Sequence, residues 1–368
     1  MRILFWTDGF WPGFGGLEVF CANLIRALKE RGHVCEVITN CADDTAAAPY
    51  FFEDVAVHPF PFQKTLERGR LRAVAEQCEM CHRIVDRFQP DVIHQHGINR
   101  SIFHFTRQQK RSRRPAVITL HDNLLEPKKQ AMAAWALANA EQVVAASDHL
   151  YRQILVREPG LGARLRLIRY ALPEPVISPT PLPRPPRILA FGRLVAHKGF
   201  DLAIEAFARV AGEFPDATLT LAGDGEDRAV LEQLAAGTGL GERIHFTGWL
   251  VPEQIPALIN AHSLVVVPSR WQEPFGLVAL EAAQFGRPVI ASRSGGLPEI
   301  VVDGVTGKLF ENENLLALVE VLRTLLADPD LAARMGRDAQ SHAVAHFPFN
   351  RLVDEYEDVY RRAQDARA

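Results

Sequence analysis

Leu172-Pro-Glu-Pro-Val-Ile-Ser-Pro-Thr-Pro-Leu-Pro-Arg-Pro-Pro186 places seven prolines in fifteen residues. Neither a helix interior nor a central strand tolerates that density, because each proline removes a backbone donor and fixes φ. Residues 172–186 therefore read as an extended, semi-rigid linker. It separates an N-terminal domain, 1–171, from a C-terminal domain, 187–348. A last helix, 349–368, has the option of returning to the N-terminal half.

The same alternation runs on both sides of the linker. Upstream, Arg2–Asp8, Val34–Asn40, Val55–Phe60, Asp91–Gln95, Ala116–His121 and Gln142–Ala146 read as strands, and Leu17–Arg31 and Leu66–Phe88 as helices. Downstream, the strands are Arg187–Phe191, Ala217–Ala222, Arg243–Thr247, Leu264–Val267, Pro288–Ala291 and Lys308–Phe310, with helices such as Phe200–Gly212 and Arg228–Leu234 between them. Strands alternating with helices build parallel sheets covered on both faces. The fold class is thus α/β, two tandem doubly wound Rossmann-like domains facing a central cleft. Ligands of such sheets bind beyond the carboxyl ends of the strands.

Composition agrees with two cores: 368 residues, 48% of them hydrophobic, exceed what one ordinary domain needs. A net charge of -3 calls for no nucleic acid partner. Residues 1–175 are mildly basic, with 23 Lys/Arg against 19 Asp/Glu. The basic stretches Leu66–Arg72 and Lys110–Arg114 read as solvated helix faces; the alternative is a lipid-phosphate or anionic glycan acceptor with peripheral membrane contact. All 5 cysteines lie within the first 81 residues and form no disulfide framework, which fits a reducing, cytoplasmic location. Cys78-x-x-Cys81 lacks the second pair a zinc site wants and sits on a helical stretch, so both read as packing residues. The N-terminal apolar run is too short for a signal peptide, and nothing approaches the ~20 apolar residues of a membrane span.

Five loops carry chemistry. Pro268-Ser-Arg-Trp-Gln-Glu273-Pro-Phe-Gly276-Leu-Val-Ala-Leu-Glu281 follows a strand and opens a helix near Gly276. Free N–H groups at such a helix start favour anions and hydroxyl oxygens. Glu281 lies one turn inside, among Leu277, Val278 and Phe285, where an ionised carboxylate is costly without a partner. Spacing alone leaves two readings open: a ribose diol on Glu281 with a sugar hydroxyl on Glu273, or ordinary salt bridges. Gly192-Arg193-Leu-Val-Ala-His-Lys198-Gly199 sets two cations five apart between glycines, which suits a diphosphate, or else is surface charge. Pro12-Gly-Phe-Gly15-Gly16-Leu-Glu18 is a phosphate cradle or a tight turn, and lacks the nicotinamide fingerprint because Glu18 replaces its third glycine. Ser294-Gly-Gly-Leu-Pro-Glu299 is a further glycine-rich turn. His121-Asp122 ends one strand, and His94-Gln-His96 ends another with two of the three ligands a metal would want.

Together these loops resemble the retaining glycosyltransferases of family 4, with the two-domain GT-B fold. The resemblance rests on Pro12-x-x-Gly15-Gly16-x-Glu18, Thr119-Leu-His121-Asp122, Gly192-Arg193-Leu194-x-x-x-Lys198-Gly199, Gly223-Asp224-Gly225, Phe246-x-Gly248, Pro268-Ser269-x-x-x-Glu273-x-Phe275-Gly276-x-x-x-x-Glu281 and Ser294-Gly-Gly-x-Pro-Glu299. It implies a hexose transferred with retention from a nucleotide-diphosphate sugar, a UDP-sugar first and GDP-mannose as the alternative, to a sugar, lipid or small-molecule acceptor. Arg193 and Lys198 would neutralise the diphosphate and replace a metal, so no cofactor is expected. Glu281 would hold the ribose. Glu273, with the N–H groups of Phe275, Gly276 and Leu277, would hold the sugar. Gly15 and Gly16 would contact phosphate and His121 the sugar's 6-hydroxyl side. Gly192 and Gly223 would line the donor site, with Phe246, Trp249 and Ser269 near the base. The chain departs from the family at Leu167-Ile-Arg-Tyr-Ala-Leu-Pro173, which lacks the Asn-Gly that members often carry. The competing readings are a GT-B sugar-nucleotide epimerase or hydrolase and a non-catalytic nucleotide-sugar-binding protein.

Overall fold

The apolar runs at the start of the chain form strands buried along nearly their whole length, as parallel strands covered on both faces must be. β1 (Arg2–Thr7) is exposed only at its first residue. It lies between β2 (Val34–Asn40) and β5 (Val92–His96), parallel to both. A computed structural model describes residues 1–13, 15–41, 48–98, 101–122 and 130–367. The chain divides into two compact units, Met1–Arg169 with Asn350–Ala368, and Tyr170–Phe349.

The first unit is built on an eight-stranded sheet. Its remaining strands are β3 (Tyr50–Phe52), β4 (Val55–Phe60), β6 (Ala116–Leu120), β7 (Gln142–Ala145) and β8 (Leu165–Leu167), in the order β3-β4-β2-β1-β5-β6-β7-β8. Only β3 runs antiparallel, closing the edge beside β4. The helix Gly16–Glu30 buries Phe20, Cys21, Leu24, Ile25 and Leu28, the spacing of one apolar stripe. The stretch expected as one helix over Leu66–Phe88 is two, Phe62–Glu67 and Leu71–Phe88. Gly69, at φ +60, ends the first, and its N–H donates to Leu66 O at 3.1 Å. The terminal helix Phe349–Asp365 packs Leu352, Val353, Tyr356, Val359, Tyr360 and Ala363 inward. Arg31 holds it through Asp354 (2.5 Å) and Glu357 (2.9 Å), and His33 through Glu357 (2.7 Å).

The second unit carries six parallel strands: β9 (Arg187–Phe191), β10 (Thr218–Ala222), β11 (Ile244–Phe246), β12 (Leu264–Val267), β13 (Val289–Ser292) and β14 (Gly307–Phe310). Their order, β11-β10-β9-β12-β13-β14, reverses between β9 and β12. That is the dinucleotide-fold order, and its switch point is where ligands bind. Ile188, Leu219, Val266 and Ile290 of the sheet meet Ile204, Phe207, Leu318 and Leu322 of the covering helices in one core. The proline-rich segment is strapped to this unit: Asn260 Nδ2 donates to Ser178 O at 2.9 Å, and Ser263 Oγ to Pro183 O at 2.9 Å. Arg287, 1% exposed, donates to Thr180 O (2.7 Å), Phe285 O (2.8 Å) and Asn260 O (2.9 Å). Carbonyls rather than a carboxylate satisfy its guanidinium, and burial pushes its pKa down to about 10. Among the described residues no helix is long and apolar enough to cross a membrane.

Candidate active site

The switch point of the second unit is a meeting of loops after β9 and β12. From Phe191 the chain turns through Gly192 and a short 3-10 turn, Ala196–Lys198, to Gly199. Gly199 sits at φ +71, and a Cβ there would stand 2.1 Å from the carbonyl oxygen of Pro268. Only glycine permits this approach, and it carries Lys198 to the β12 loop. Lys198 Nζ lies 2.7 Å from Glu273 Oε1, and the Ser269 hydroxyl donates to the same oxygen. Glu273 is 5% exposed, so its charge depends on these two donors. Its carbonyl accepts from Gly296 N at 2.7 Å, which places the third glycine-rich turn behind it. Lys198 also lies 5.3 Å from the centre of the Trp271 ring.

The helix Leu277–Gln284 begins just beyond. Gly276 caps it at φ +106, with Leu297 Cδ2 2.6 Å from where a Cβ would be. Phe275 is buried between Tyr170 and Phe347, so it offers the site its backbone rather than its ring. The N–H groups of Gly276 and Leu277 donate to no group among the described residues. Glu281 stands one turn on and has no hydrogen-bond or ion-pair partner among the described residues. Burial alone pushes its carboxyl up to about 7. Arg193 is exposed and likewise unpaired among the described residues.

The other expected donor residues take varied places. Gly192 N donates to Ala222 O (2.9 Å) and Gly223 N to Gly248 O (3.0 Å), which ties the ends of β9, β10 and β11 together. Phe246 ends β11, and Trp249 is 48% exposed. Ser269, expected near the base, is fully buried with its hydroxyl on Glu273. A cavity of about 640 Å³ opens between His197, Asp201, Asp227, Arg270 and Trp271; Arg193, Lys198, Glu273 and Glu281 do not line it.

In the first unit, Gly15 and Gly16 begin the helix Gly16–Glu30 without a side-chain cap. Phe14 between the motif's glycines lies outside the described residues. The Glu18 carboxylate folds back over this turn: Oε2 is 2.5 Å from where a Cβ of Gly15 would stand. His121, just past β6, meets His96 of β5, with His96 Nδ1 2.9 Å from His121 Nε2. His94 Nδ1 meets the Tyr360 hydroxyl (2.8 Å), and its Nε2 meets Thr119 Oγ1 (2.7 Å), itself 3.1 Å from the Tyr356 hydroxyl. The imidazoles of the His-x-His pair are thus spent on hydroxyls and another imidazole. No group of three or more His, Cys, Asp or Glu among the described residues could hold a metal. Sequence reasoning missed Thr119, Tyr356 and Tyr360. The signal available for the tyrosines was their i, i+4 spacing on the apolar face of the terminal helix.

Family models match both units, glycosyltransferase family 4 over residues 14–169 and glycosyl transferases group 1 over residues 178–342. The chain belongs to family 4 of the glycosyltransferases. A glycogen synthase of Mycobacterium tuberculosis is 28% identical over 413 aligned residues, spanning 99% of this chain and 95% of that protein. Among solved structures, sucrose-phosphate synthase from Thermosynechococcus elongatus superposes with a TM-score of 0.85 at 22% identity, covering 100% of both chains. The Anabaena protein HepE, crystallised with UDP-glucose, superposes with a TM-score of 0.79 at 24% identity, covering 98% of this chain and 99% of that one. These likenesses give the fold, GT-B with two Rossmann-like domains. This family-4 member is a glycosyltransferase.

Proposed function

We propose that this glycosyltransferase moves a hexose with retention from a nucleotide-diphosphate sugar, a UDP-sugar before GDP-mannose, and needs no metal to do so. One observation carries the reading. Lys198, Glu273 and Ser269 are already hydrogen-bonded to each other at the switch point, while in the same unit Arg193 and Glu281 stand without partners. Two cations on one loop match a diphosphate. Two carboxylates eight residues apart, flanking a helix start, match the hydroxyls of a sugar and a ribose. The printed name of the Anabaena neighbour's ligand, UDP-glucose, is of this chemical class.

In this mechanism the incoming diphosphate takes Lys198 from Glu273, and Glu273 turns to accept from the sugar's hydroxyls. Arg193 supplies the second cation, and the free N–H groups of Gly276 and Leu277 add a positive helix start. The bond from the anomeric carbon to the diphosphate oxygen breaks while the acceptor oxygen bonds to the same face. The acceptor's proton passes to the departing phosphate oxygen. Negative charge builds on the diphosphate, where Arg193 and Lys198 stabilise it. Glu281 holds the ribose, and His121 keeps the sugar-contacting role that family resemblance implies.

Thermal shift with UDP, GDP and ADP tests the donor. The matching nucleotide at about 100 times its Kd should stabilise the protein by about 2.7 kcal/mol. Turnover should survive a chelator, and complete loss would overturn the metal-free part. Release of free or altered sugar from donor alone, with no transfer to any acceptor, would overturn the reading as a whole.

A further inference from the structure

β5 ends in Val-Ile-His-Gln-His, and all five residues are buried. A buried imidazole must place both ring nitrogens or bear the cost of an unmade hydrogen bond. His94 places both, on Tyr360 and Thr119. His96 places one. Its Nδ1 faces His121 Nε2 at 2.9 Å, and its Nε2 is buried with no partner among the described residues.

The geometry of the pair is that of a hydrogen bond in the plane of both rings. The rings lie within 14° of parallel with centroids 5.1 Å apart, and the nitrogen-to-nitrogen distance spans most of that separation. One nitrogen must therefore bring a hydrogen and the other a lone pair. Burial holds both imidazoles well below their ordinary range, to about 3 for His121, so each ring is neutral with a single N–H. Two arrangements remain. If His96 carries its hydrogen on Nε2, a buried N–H is left with nothing to receive it. If it carries the hydrogen on Nδ1, that hydrogen is bonded and only a lone pair goes unused. Orphaned buried N–H groups are rarer than under-used acceptors, so the second arrangement is favoured.

We propose that His96 is a positioning residue: its Nδ1–H donates to His121 Nε2 and fixes His121 as the neutral tautomer that carries its hydrogen on Nδ1. His121 then meets a sugar hydroxyl as a hydrogen-bond donor. This rests on the sugar-contacting role of His121 given above. The surroundings keep His96 from turning over. Phe5 stacks on it (5.2 Å, 8°), His94 lies 3.8 Å away centroid to centroid, and Phe20 meets its edge at 6.0 Å. Tyr356 and Tyr360 of the terminal helix in turn hold Thr119 and His94, so the last helix of the chain helps to set the tautomer.

The test is long-range proton–nitrogen correlation NMR of the histidine rings in the full-length, donor-free protein. His121 should show its hydrogen on Nδ1 and a bare Nε2. His96→Phe should move it toward the Nε2–H form and lower kcat roughly tenfold, the worth of one good hydrogen bond. His96→Asn, whose amide N–H falls near the lost Nδ1–H, should restore both. A wild-type spectrum with the hydrogen on Nε2 of His121 overturns the proposal even if His96→Phe fails to fold, and so does an unchanged tautomer in folded His96→Phe. His121→Ala separates the two claims. If it transfers sugar normally, the role of His121 fails while the tautomer result stands. If it loses activity and His96→Phe leaves the tautomer unchanged, the positioning role alone fails.

Discussion

At the end of β12 a buried carboxylate meets an ammonium, while at the ends of β5 and β6 three imidazoles meet hydroxyls and one another with no formal charge. Both clusters stand where parallel sheets bind ligands, yet they are built on opposite electrostatics. The charged cluster has labile partners: Lys198 is a quarter exposed and can be drawn off Glu273 by a stronger anion. The neutral cluster has fixed ones, each ring wedged among aromatic neighbours. A charged cluster of this kind suits groups that must exchange partners when a ligand arrives. A neutral, packed one suits a group that must hold a single orientation and tautomer.

The largest way to break the comparison is at Glu273. Glu273→Gln keeps the shape but not the charge and releases Lys198 from its intramolecular partner. We expect kcat to fall on the order of a hundredfold or more, the usual cost of losing a charge-stabilising group, with UDP affinity unchanged or higher. Steady-state kinetics beside calorimetric nucleotide titration would read both. A near-normal kcat would remove Glu273 from the mechanism.

The two clusters should also respond to pH with opposite sign. His121, with a folded pKa of about 3 against 6.5 for an ordinary imidazole, is neutral in the folded protein over a range where the unfolded chain takes up a proton. Its stabilisation is complete above pH ~6.5 and lost as pH falls, by about 1.4 kcal/mol for each unit. His94 and His96 act in the same direction. Urea melts between pH 7 and 5 should therefore show stability dropping by several kcal/mol. A flat profile would mean that these rings are not buried neutral.

Glu281 works the other way. Its carboxyl sits at about 7 in the folded protein against 4.5 ordinarily, so the folded form holds a proton that the unfolded chain has given up. Stability is lost as pH rises from about 4.5 through 7, by about 3 kcal/mol in total. Glu281→Gln removes this loss and should be the more stable protein at pH 8, while binding nucleotide more weakly. In the parent, nucleotide affinity should rise through pH 7 as Glu281 ionises. Equal affinity at pH 6 and pH 8, with Glu281→Gln binding like the parent, would refute the ribose assignment.

The legibility of the two clusters in the amino-acid order differs for the same physical reason. Local chemistry marks the charged one: Gly192, Arg193, Lys198 and Gly199 share one turn, and Glu273 and Gly276 share another, so spacing alone brings them to strand ends. The pairing of Lys198 with Glu273 was not legible, since it depends on the backbone approach at Gly199 to a residue 69 positions away. In the neutral cluster His94, His96 and His121 are visible as polar residues ending apolar strands. Their partners Tyr356 and Tyr360 come from the far end of the chain, and no local pattern connects them. The strand periods were readable throughout, except where a strand is three residues long, as in β3 and β8. There too few side chains alternate to set a period.

The smallest effect tests whether that distant helix matters. Tyr360→Phe removes the hydroxyl from His94 Nδ1 and leaves a buried ring nitrogen unpaired, which should cost about 1–3 kcal/mol of stability. Tyr356→Phe should cost less, because Thr119 keeps its bond to His94 when that hydroxyl goes. Neither tyrosine touches the charged cluster, so nucleotide affinity should stay within twofold of the parent in both variants. If Tyr360→Phe were as stable as the parent, the neutral cluster would be a packing arrangement in which the hydroxyl carries no weight. The contrast between a fixed cluster and an exchangeable one would then rest on aromatic packing alone.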